Sequence, residues 1–398
     1  MIHKVILKRG KEESLARRHP WVFSGAIERI EPCNGELIEG DIVDVYGRNG
    51  DFLARGHYQI GSITVRVLTF EQESIDAAWW EQRIRIARDV RRSISLLDNP
   101  ATTCYRLIHG EGDSLPGLVV DIYGSTAVVQ CHSVGMFHAR EMIADAILAV
   151  YGSEITAVYD KSSQTVPFKA NLNAHDGYLR GEVLAADNVV FENGHQFLVN
   201  WEEGQKTGFF IDQRINRELV ERYAAGRTVL NTFCYTGGFS VYALAGGAKR
   251  VCSIDASERA IRLVDENVRL NFGDDAPHSS LVCDAVEYLK DIGNEYDMII
   301  LDPPAFAKHH KVLGNAMQGY KKLNARAMSQ IKPGGILFTF SCSQAVSKEL
   351  FRTMVFTSAA IAGRRVRILH QLTQPADHPI NIYHPEGEYL KGLVLYVE

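Results

Sequence analysis

Tyr296-Asp-Met-Ile-Ile-Leu-Asp-Pro-Pro-Ala-Phe306, followed thirty residues later by Ile336-Leu-Phe-Thr-Phe-Ser-Cys-Ser343, decides how this chain folds. Each stretch opens as a short apolar run, residues 296–301 and 336–340, the pattern of a strand buried on both faces of a parallel sheet. Between them lie a basic helical stretch and the turn Lys332-Pro-Gly-Gly335. In a doubly wound sheet, side chains just past the carboxyl ends of neighbouring strands converge on the ligand crevice. The Asp302 carboxylate and the Cys342 thiol, forty residues apart in sequence, are therefore expected in one cleft.

Working outward, strands and helices alternate from Thr228 onward. Strands are read at 229–233, 250–254 and 281–282 besides the two above, with helices at 257–270, 317–330 and 348–360 and a terminal strand at 393–397. Such alternation gives a right-handed, largely parallel sheet covered on both faces. Ahead of it, Val189-Val-Phe-Glu-Asn-Gly-His-Gln-Phe-Leu198 reads as a hairpin with an Asn-Gly turn, leading through Gln205 to a helix ending at Tyr223. Residues 1–75 carry short β-branched runs at 5–7, 41–45, 52–54 and 64–68, as in a small β domain. At Ser74 the period changes to helical. The region 76–187 then mixes a helix, the strand–loop–strand unit 105–121, strands at 128–132 and 155–159 and a helix at 136–151. The expected fold is thus multidomain: a β-barrel-like domain at 1–75, an α+β domain at 76–187 and an α/β Rossmann-like domain at 188–398. A chain of 398 residues exceeds what one core usually fills.

Composition narrows the class of protein. Hydrophobic residues make up 46% and charged residues 23%, with no apolar run near the ~18 residues a membrane helix needs. The N-terminus lacks a signal-peptide pattern, so a cytoplasmic protein with no membrane partner is expected. Seven cysteines without a C-x-x-C pair argue against a disulfide framework and a zinc site, and no metal is expected. Cys252 and Cys283 fall in apolar strand patterns and read as inert buried thiols, whereas Cys342 sits at a strand end between serines. The overall charge of −5 hides an asymmetry: residues 303–376 hold eleven Lys and Arg, among them Lys308, Lys321 and Lys322, against Glu349 alone. A second basic cluster spans residues 1–20 and includes Arg17 and Arg18. One such run is normally a solvated face; two, one abutting the candidate crevice, favour a phosphate backbone as partner. Trp21, beside Arg17 and Arg18, offers an aromatic plane for RNA, with a place in the small domain's core as the competing role. His109 and Asp113 are read as a solvated histidine and a turn carboxylate. Oligomeric state is not legible.

The first strand of the alternating region runs into Leu230-Asn-Thr-Phe-Cys-Tyr-Thr-Gly-Gly-Phe-Ser240. This is not the Gly-x-Gly-x-x-Gly of a dinucleotide site, and no Walker lysine follows. Phe233, Tyr235, Thr236 and Gly237 form a turn suited to a small uncharged moiety. Asp255, ending the next strand, can accept two ribose hydroxyls, and Asp284, past the third, an adenine amine. Ala256, Ala285 and Pro303 adjoin these positions. Three strand-end aspartates around a Gly-turn fit S-adenosylmethionine, although each alone is as well explained as a helix N-cap.

Such a cofactor beside Cys342 suggests a specific chemistry. Carbon-5 of a pyrimidine is a weak nucleophile, and thiolate addition at C6 turns it into an enamine-like carbon. Cys342 supplies the thiolate, Asp302 holds the N3/N4 edge, and Phe306 stacks on an extruded base. Two competing readings remain. Asp302-Pro-Pro-x-Phe306 resembles the box that presents an exocyclic amine for direct methylation, which needs no cysteine. Alternatively, the chain is an RNA-binding protein with an inert methyltransferase domain.

The ordered motifs resemble the ribosomal RNA large-subunit methyltransferase I family. They are Arg18-His-Pro-Trp-Val-Phe-Ser-Gly25, Gly112-Asp-Ser-Leu-Pro-Gly117, Lys206-Thr-Gly-Phe-Phe-Ile-Asp-Gln-Arg214 and Tyr235-Thr-Gly-Gly-Phe239. Asp302-Pro-Pro304, Thr339-Phe-Ser-Cys-Ser343, Ala376-Asp-His-Pro379 and Pro385-Glu-Gly387 complete the set. The resemblance implies a PUA domain, a central α+β domain and a class I methyltransferase domain acting on cytosine C5 of 23S ribosomal RNA. It implies Cys342 as nucleophile, and Thr207, Phe210 and Asp212 in a stretch that helps cover the cofactor. The chain departs from the family pattern at Ala305, where a lysine is expected, and Phe306 stands where other cytosine-C5 RNA methyltransferases carry a second cysteine.

Overall fold

A computed structural model describes residues 2–33, 35–167, 170, 172–183, 188–306 and 313–398. The chain divides into two compact units, each assembled from separate stretches: Met1–Val190, Val199–Ile211 and Ala376–Gly387 form the first, and Phe191–Leu198, Asp212–Pro375 and Glu388–Glu398 the second.

The first unit contains two sheets. Strands β1 (His3–Leu7), β2 (Trp21–Phe23), β3 (Ile27–Glu31), β4 (Ile42–Tyr46), β5 (Phe52–Tyr58) and β6 (Ile63–Thr69) pair in the order β2-β6-β5-β4-β1-β3. The short helix α1 (Glu13–Ala16) drops Leu15 onto a core of Val5, Val43, Val45, Ala54 and Val65. The four strands read from sequence are present, three of them longer than read and β4 shifted by one residue; β2 and β3 were not read. β3 shows why: its side chains are exposed or half-buried throughout, so no apolar alternation marks it.

The second sheet runs β11-β10-β9-β8-β7, built from β7 (Cys104–His109), β8 (Leu118–Tyr123), β9 (Thr126–Cys131), β10 (Ala157–Asp160) and β11 (Gly177–Arg180). Helices α2 (Ala77–Ser93) and α3 (Val134–Tyr151) cover it with Trp80, Ile84, Ile143 and Ile147. The helical period read from Ser74 becomes a helix capped by Asp76, whose carboxylate accepts from Trp79 N–H at 3.0 Å. Residues 376–387 return to pack on this sheet. Buried Arg91 forms an ion pair with Asp113 (Nη2–Oδ2 2.8 Å) and donates to the Asp377 carbonyl at 2.7 Å, while the Asp377 carboxylate accepts from Arg106 N–H at 3.0 Å. Gly112 lies so close that an added Cβ would sit 1.9 Å from the Pro379 carbonyl oxygen. The Gly112–Gly117 and Ala376–Pro379 motifs are therefore two halves of one structural joint. His109 belongs to it as well: rather than solvated, it is half-buried beside His378, and burial drives its pKa strongly down.

Strands β12 (Val189–Glu192) and β13 (His195–Leu198) form the expected hairpin, with Asn193 and Gly194 at φ 51° and 87°. In the second unit, β14 (Thr228–Thr232), β15 (Arg250–Asp255), β16 (His278–Val282), β17 (Met298–Leu301), β18 (Gly335–Ser341), β19 (Val366–Leu372) and β20 (Lys391–Val397) build one sheet. Its order is β16-β15-β14-β17-β18-β20-β19, parallel except that β20 runs antiparallel to both neighbours. Helices α4 (Arg214–Tyr223), α5 (Gly238–Ala245), α6 (Glu258–Phe272), α7 (Ala285–Tyr288), α8 (Leu313–Gln330) and α9 (Lys348–Ala362) complete the alternation. Continuous apolar runs such as Met298–Leu301 are fully buried, as two-sided coverage requires. Edge strand β19 is largely exposed, and its mixed pattern hid it in the sequence. Cys283 lies just beyond β16 and is half-buried rather than inside the strand. Among the described residues no helix is long and apolar enough to cross a membrane.

Candidate active site

Strand register sets the geometry of the site. Thr232 pairs with both Ile254 and Leu301, and Leu301 with Thr339. Phe233, Asp255, Asp302 and the turn holding Cys342 therefore emerge in a row from the carboxyl ends of four consecutive strands, about 4.8 Å apart.

The Gly-turn has an unusual backbone. Phe233, Tyr235 and Gly237 all have positive φ (53°, 47° and 78°). Two non-glycine residues there cost about 1–3 kcal/mol each, a cost that concentrates at functional sites. Surrounding bonds hold the turn: Cys234 N–H donates to the Ile254 carbonyl at 3.2 Å, and Asn267 donates to the Thr236 carbonyl at 2.9 Å. At Gly237 a Cβ would meet Val264 at 3.0 Å. Asp255 spans the turn, accepting from Tyr235 N–H at 3.1 Å on one oxygen and from Ser257 N–H at 2.9 Å on the other. Each carboxylate oxygen keeps a second lone pair for a ribose hydroxyl. Asp284 is exposed and caps α7 through Glu287 N–H at 2.8 Å. Ala285 and Pro303 are buried beside it and beside Asp302 in sequence, and Ala256 is exposed. A tight turn bridged by a strand-end carboxylate fits the nucleoside portion of S-adenosylmethionine.

Asp302 is half-buried and accepts from the Gln213 side-chain amide at 3.0 Å. The Gln213 carbonyl in turn accepts from Asn216 at 2.6 Å, which fixes the amide's orientation. Asp212 accepts from the Tyr389 hydroxyl at 2.6 Å. Thr207 and Phe210 lie in the first unit. There the Thr207 hydroxyl is buried and donates to Asp121 at 2.6 Å, and the Phe210 ring carries the Lys206 ammonium 4.6 Å from its centroid.

The Cys342 turn is tied from both sides. Ser341 donates to the Tyr320 hydroxyl at 2.9 Å, and Tyr320 meets the Ser343 hydroxyl at 3.1 Å. Buried Lys391 donates to the Ser343 carbonyl at 2.6 Å. Cys342 itself is half-buried, unlike Cys104, Cys131, Cys234 and Cys252. Phe306 packs its ring against Tyr320 at 4.7 Å and over Gly319, which engages it with the hydrophobic core.

The expected RNA contacts fare differently from one another. Arg17, Arg18 and Lys322 are exposed and Lys321 half-buried, while Lys308 lies outside the described residues. Trp21 is tied down, its indole donating to Glu111 at 2.9 Å with its ring edge against His384. Part of the basic stretch is neutralised locally. Lys332, Lys348 and Arg367 pair with Asp297, Glu388 and Glu398, and Arg326 and Arg364 donate to backbone carbonyls. Gln213, Tyr320 and Lys391 were not singled out from sequence, because nothing in a lone Gln, Tyr or Lys marks a neighbour of Asp302 or Cys342.

Comparison with known proteins places the chain. Residues 165–382 match the model of the S-adenosylmethionine-dependent methyltransferase family, and residues 5–70 that of the PUA-like domain. Ribosomal RNA large subunit methyltransferase I of Aeromonas salmonicida is 40% identical over 98% of each chain, and that of Tolumonas auensis 42% identical over 98% of each. The chain belongs to the ribosomal RNA large subunit methyltransferase I family. A solved structure, SMU.776, a methyltransferase complexed with SAH, shares 25% identity over the full length of both chains at a TM-score of 0.85. The chain thus carries both a PUA-like and a methyltransferase module, and S-adenosylmethionine is the cofactor.

Proposed function

We propose that this chain methylates carbon-5 of a cytosine in 23S ribosomal RNA through a covalent Cys342 adduct. The family name supports large-subunit ribosomal RNA as substrate. The observation that carries the chemistry is the half-buried Cys342, held at the end of β18 one strand from Asp302.

Cys342 thiolate adds to C6, and the C5=C6 electron pair shifts into the ring toward N3. Asp302, in its protonated form and oriented by Gln213, donates its proton to N3 as that charge develops there and recovers it when the ring is restored. When bound at the Gly-turn, S-adenosylmethionine supplies the electrophilic methyl that C5 accepts. Loss of the C5 proton to a base and departure of Cys342 as thiolate restore the ring. Pro303 and Pro304 fix the backbone beside Asp302 and so preserve the slot's shape.

Labelled-methyl transfer to unmodified large-subunit RNA, with nucleoside mass spectrometry of the product, tests this. Cys342→Ala is expected to abolish 5-methylcytidine formation while binding cofactor normally. Undiminished transfer by that variant, or methylation of an exocyclic amine, sinks the thiol mechanism.

A further inference from the structure

Strand β20 opens with a lysine that is only 4% exposed. A buried ammonium is costly unless it meets a negative partner. Lys391 pairs in register with Ser341, directly before Cys342, and its amine donates to the carbonyl of Ser343, directly after it. The cation thus reaches over the cysteine turn from the neighbouring strand. Packing and backbone hydrogen bonds hold it in place. Gly392, the next residue, lies against Phe340, where a Cβ would sit 2.6 Å from the ring, and Gln374 accepts from the N–H groups of Tyr389 and Leu390 just upstream.

We propose that Lys391 is the counter-ion of the Cys342 thiolate, a positioning residue that sets the nucleophile's ionisation and holds its turn. The titratable groups around it fit that role. The Lys391 pKa is lowered to about 8, chiefly by burial, with negative charge on Cys342 and then on Glu388 working against that fall and Lys348, at the start of α9, adding to it. Glu388 is itself paired with Lys348. On the far side of the turn, burial raises the Tyr320 phenol above its ordinary value, so at neutral pH it contributes hydrogen bonds and no charge. Proton balance is simple: the thiol gives its proton to solvent, Lys391 keeps its own, and the pair is a thiolate beside an ammonium. When sulfur bonds to C6 its charge passes to the pyrimidine, and when it departs the ammonium receives it again.

The inference rests on Cys342 being the nucleophile, and its test can fail separately from that reading. The measurement is the rate of Cys342 alkylation by iodoacetamide against pH, followed by peptide mass spectrometry on the full chain. Wild-type Cys342 is expected to titrate below the ~8.5 of a free cysteine. Lys391→Met is expected to raise that midpoint by a unit or more, slowing alkylation at pH 7 about tenfold. Lys391→Arg, which keeps the charge, is expected to stay near wild type. Cofactor binding at the Asp255 site reports whether each variant is folded. An unchanged midpoint in folded Lys391→Met, or a wild-type midpoint at or above 8.5, overturns the inference. If Lys391→Met fails to fold, the wild-type midpoint and Lys391→Arg decide. Retained methyl transfer in Cys342→Ala would instead remove the nucleophile assignment and leave the alkylation result standing.

Discussion

Replacing Gln213 with leucine isolates what orients Asp302. The side-chain amide donates to Asp302 Oδ2 at 3.0 Å, and its orientation is fixed because its carbonyl accepts from Asn216 at 2.6 Å. A hydrogen bond to a charged group contributes about 1.5–3 kcal/mol. If that stabilisation is realised where charge develops on the base, kcat/KM falls roughly 10- to 150-fold, at tenfold per ~1.4 kcal/mol. Asn216 keeps a second acceptor, the Thr373 carbonyl at 3.4 Å, so Gln213→Leu does not strand its amide. Gln213→Glu is the informative companion. It preserves shape and the acceptor for Asn216 but sets a second carboxylate against Asp302, which raises the proton affinity of the pair and moves the acid limb of the pH–rate profile upward. The assay is steady-state methyl transfer to unmodified ribosomal RNA across pH, with calorimetric S-adenosylhomocysteine binding as the fold control. A Gln213→Leu enzyme within twofold of wild type in kcat/KM refutes the role given to this amide.

Asp255→Ala removes a carboxylate that bridges Tyr235 N–H and Ser257 N–H, and S-adenosylhomocysteine affinity is expected to fall at least about 100-fold by calorimetry. Glu192→Ala strands the buried Arg217 guanidinium, now bound twice at 2.7 Å, and is expected to cost about 3–5 kcal/mol by urea denaturation followed by circular dichroism. His57 is held neutral by burial, its pKa lowered from 6.5 to about 3. The unfolded chain therefore binds the extra proton between those values, and stability falls as pH drops from about 6.5 to 3. His57→Leu is expected to flatten the stability–pH slope in that window; an unchanged slope contradicts the assignment.

Much of this site was legible in sequence because its logic is one-dimensional. Apolar runs of four to seven residues ending in Asp255, Asp302 or Ser341-Cys342 announce strand ends, and strand ends in a parallel sheet share a crevice. What stayed hidden depends on pairing across distance. Lys391 begins a strand that was read as starting at Leu393, since a lysine ahead of an apolar run looks solvated; only its register with Ser341 reveals it as buried. Thr207 hydrogen-bonds Asp121 and Trp21 meets Glu111, partners 86 and 90 residues away that no local pattern suggests. Asp284 shows the reverse difficulty, for the same carboxylate at a strand end also serves as an N-cap, and the structure shows it capping.

The joint between Arg91, Asp113 and Asp377 has a consequence for biogenesis. The first unit takes residues 376–387 as part of its fabric, although Asp377 follows Arg91 by 286 residues in the chain. As the chain leaves the ribosome, Arg91 and the Arg106 amide must wait nearly 300 residues for two of their acceptors. A premature stop shortly before residue 376 thus leaves the amino-terminal half chemically complete yet short of two internal bonds. Quality control acting on such a truncated product is expected to recognise its beginning as much as its missing end.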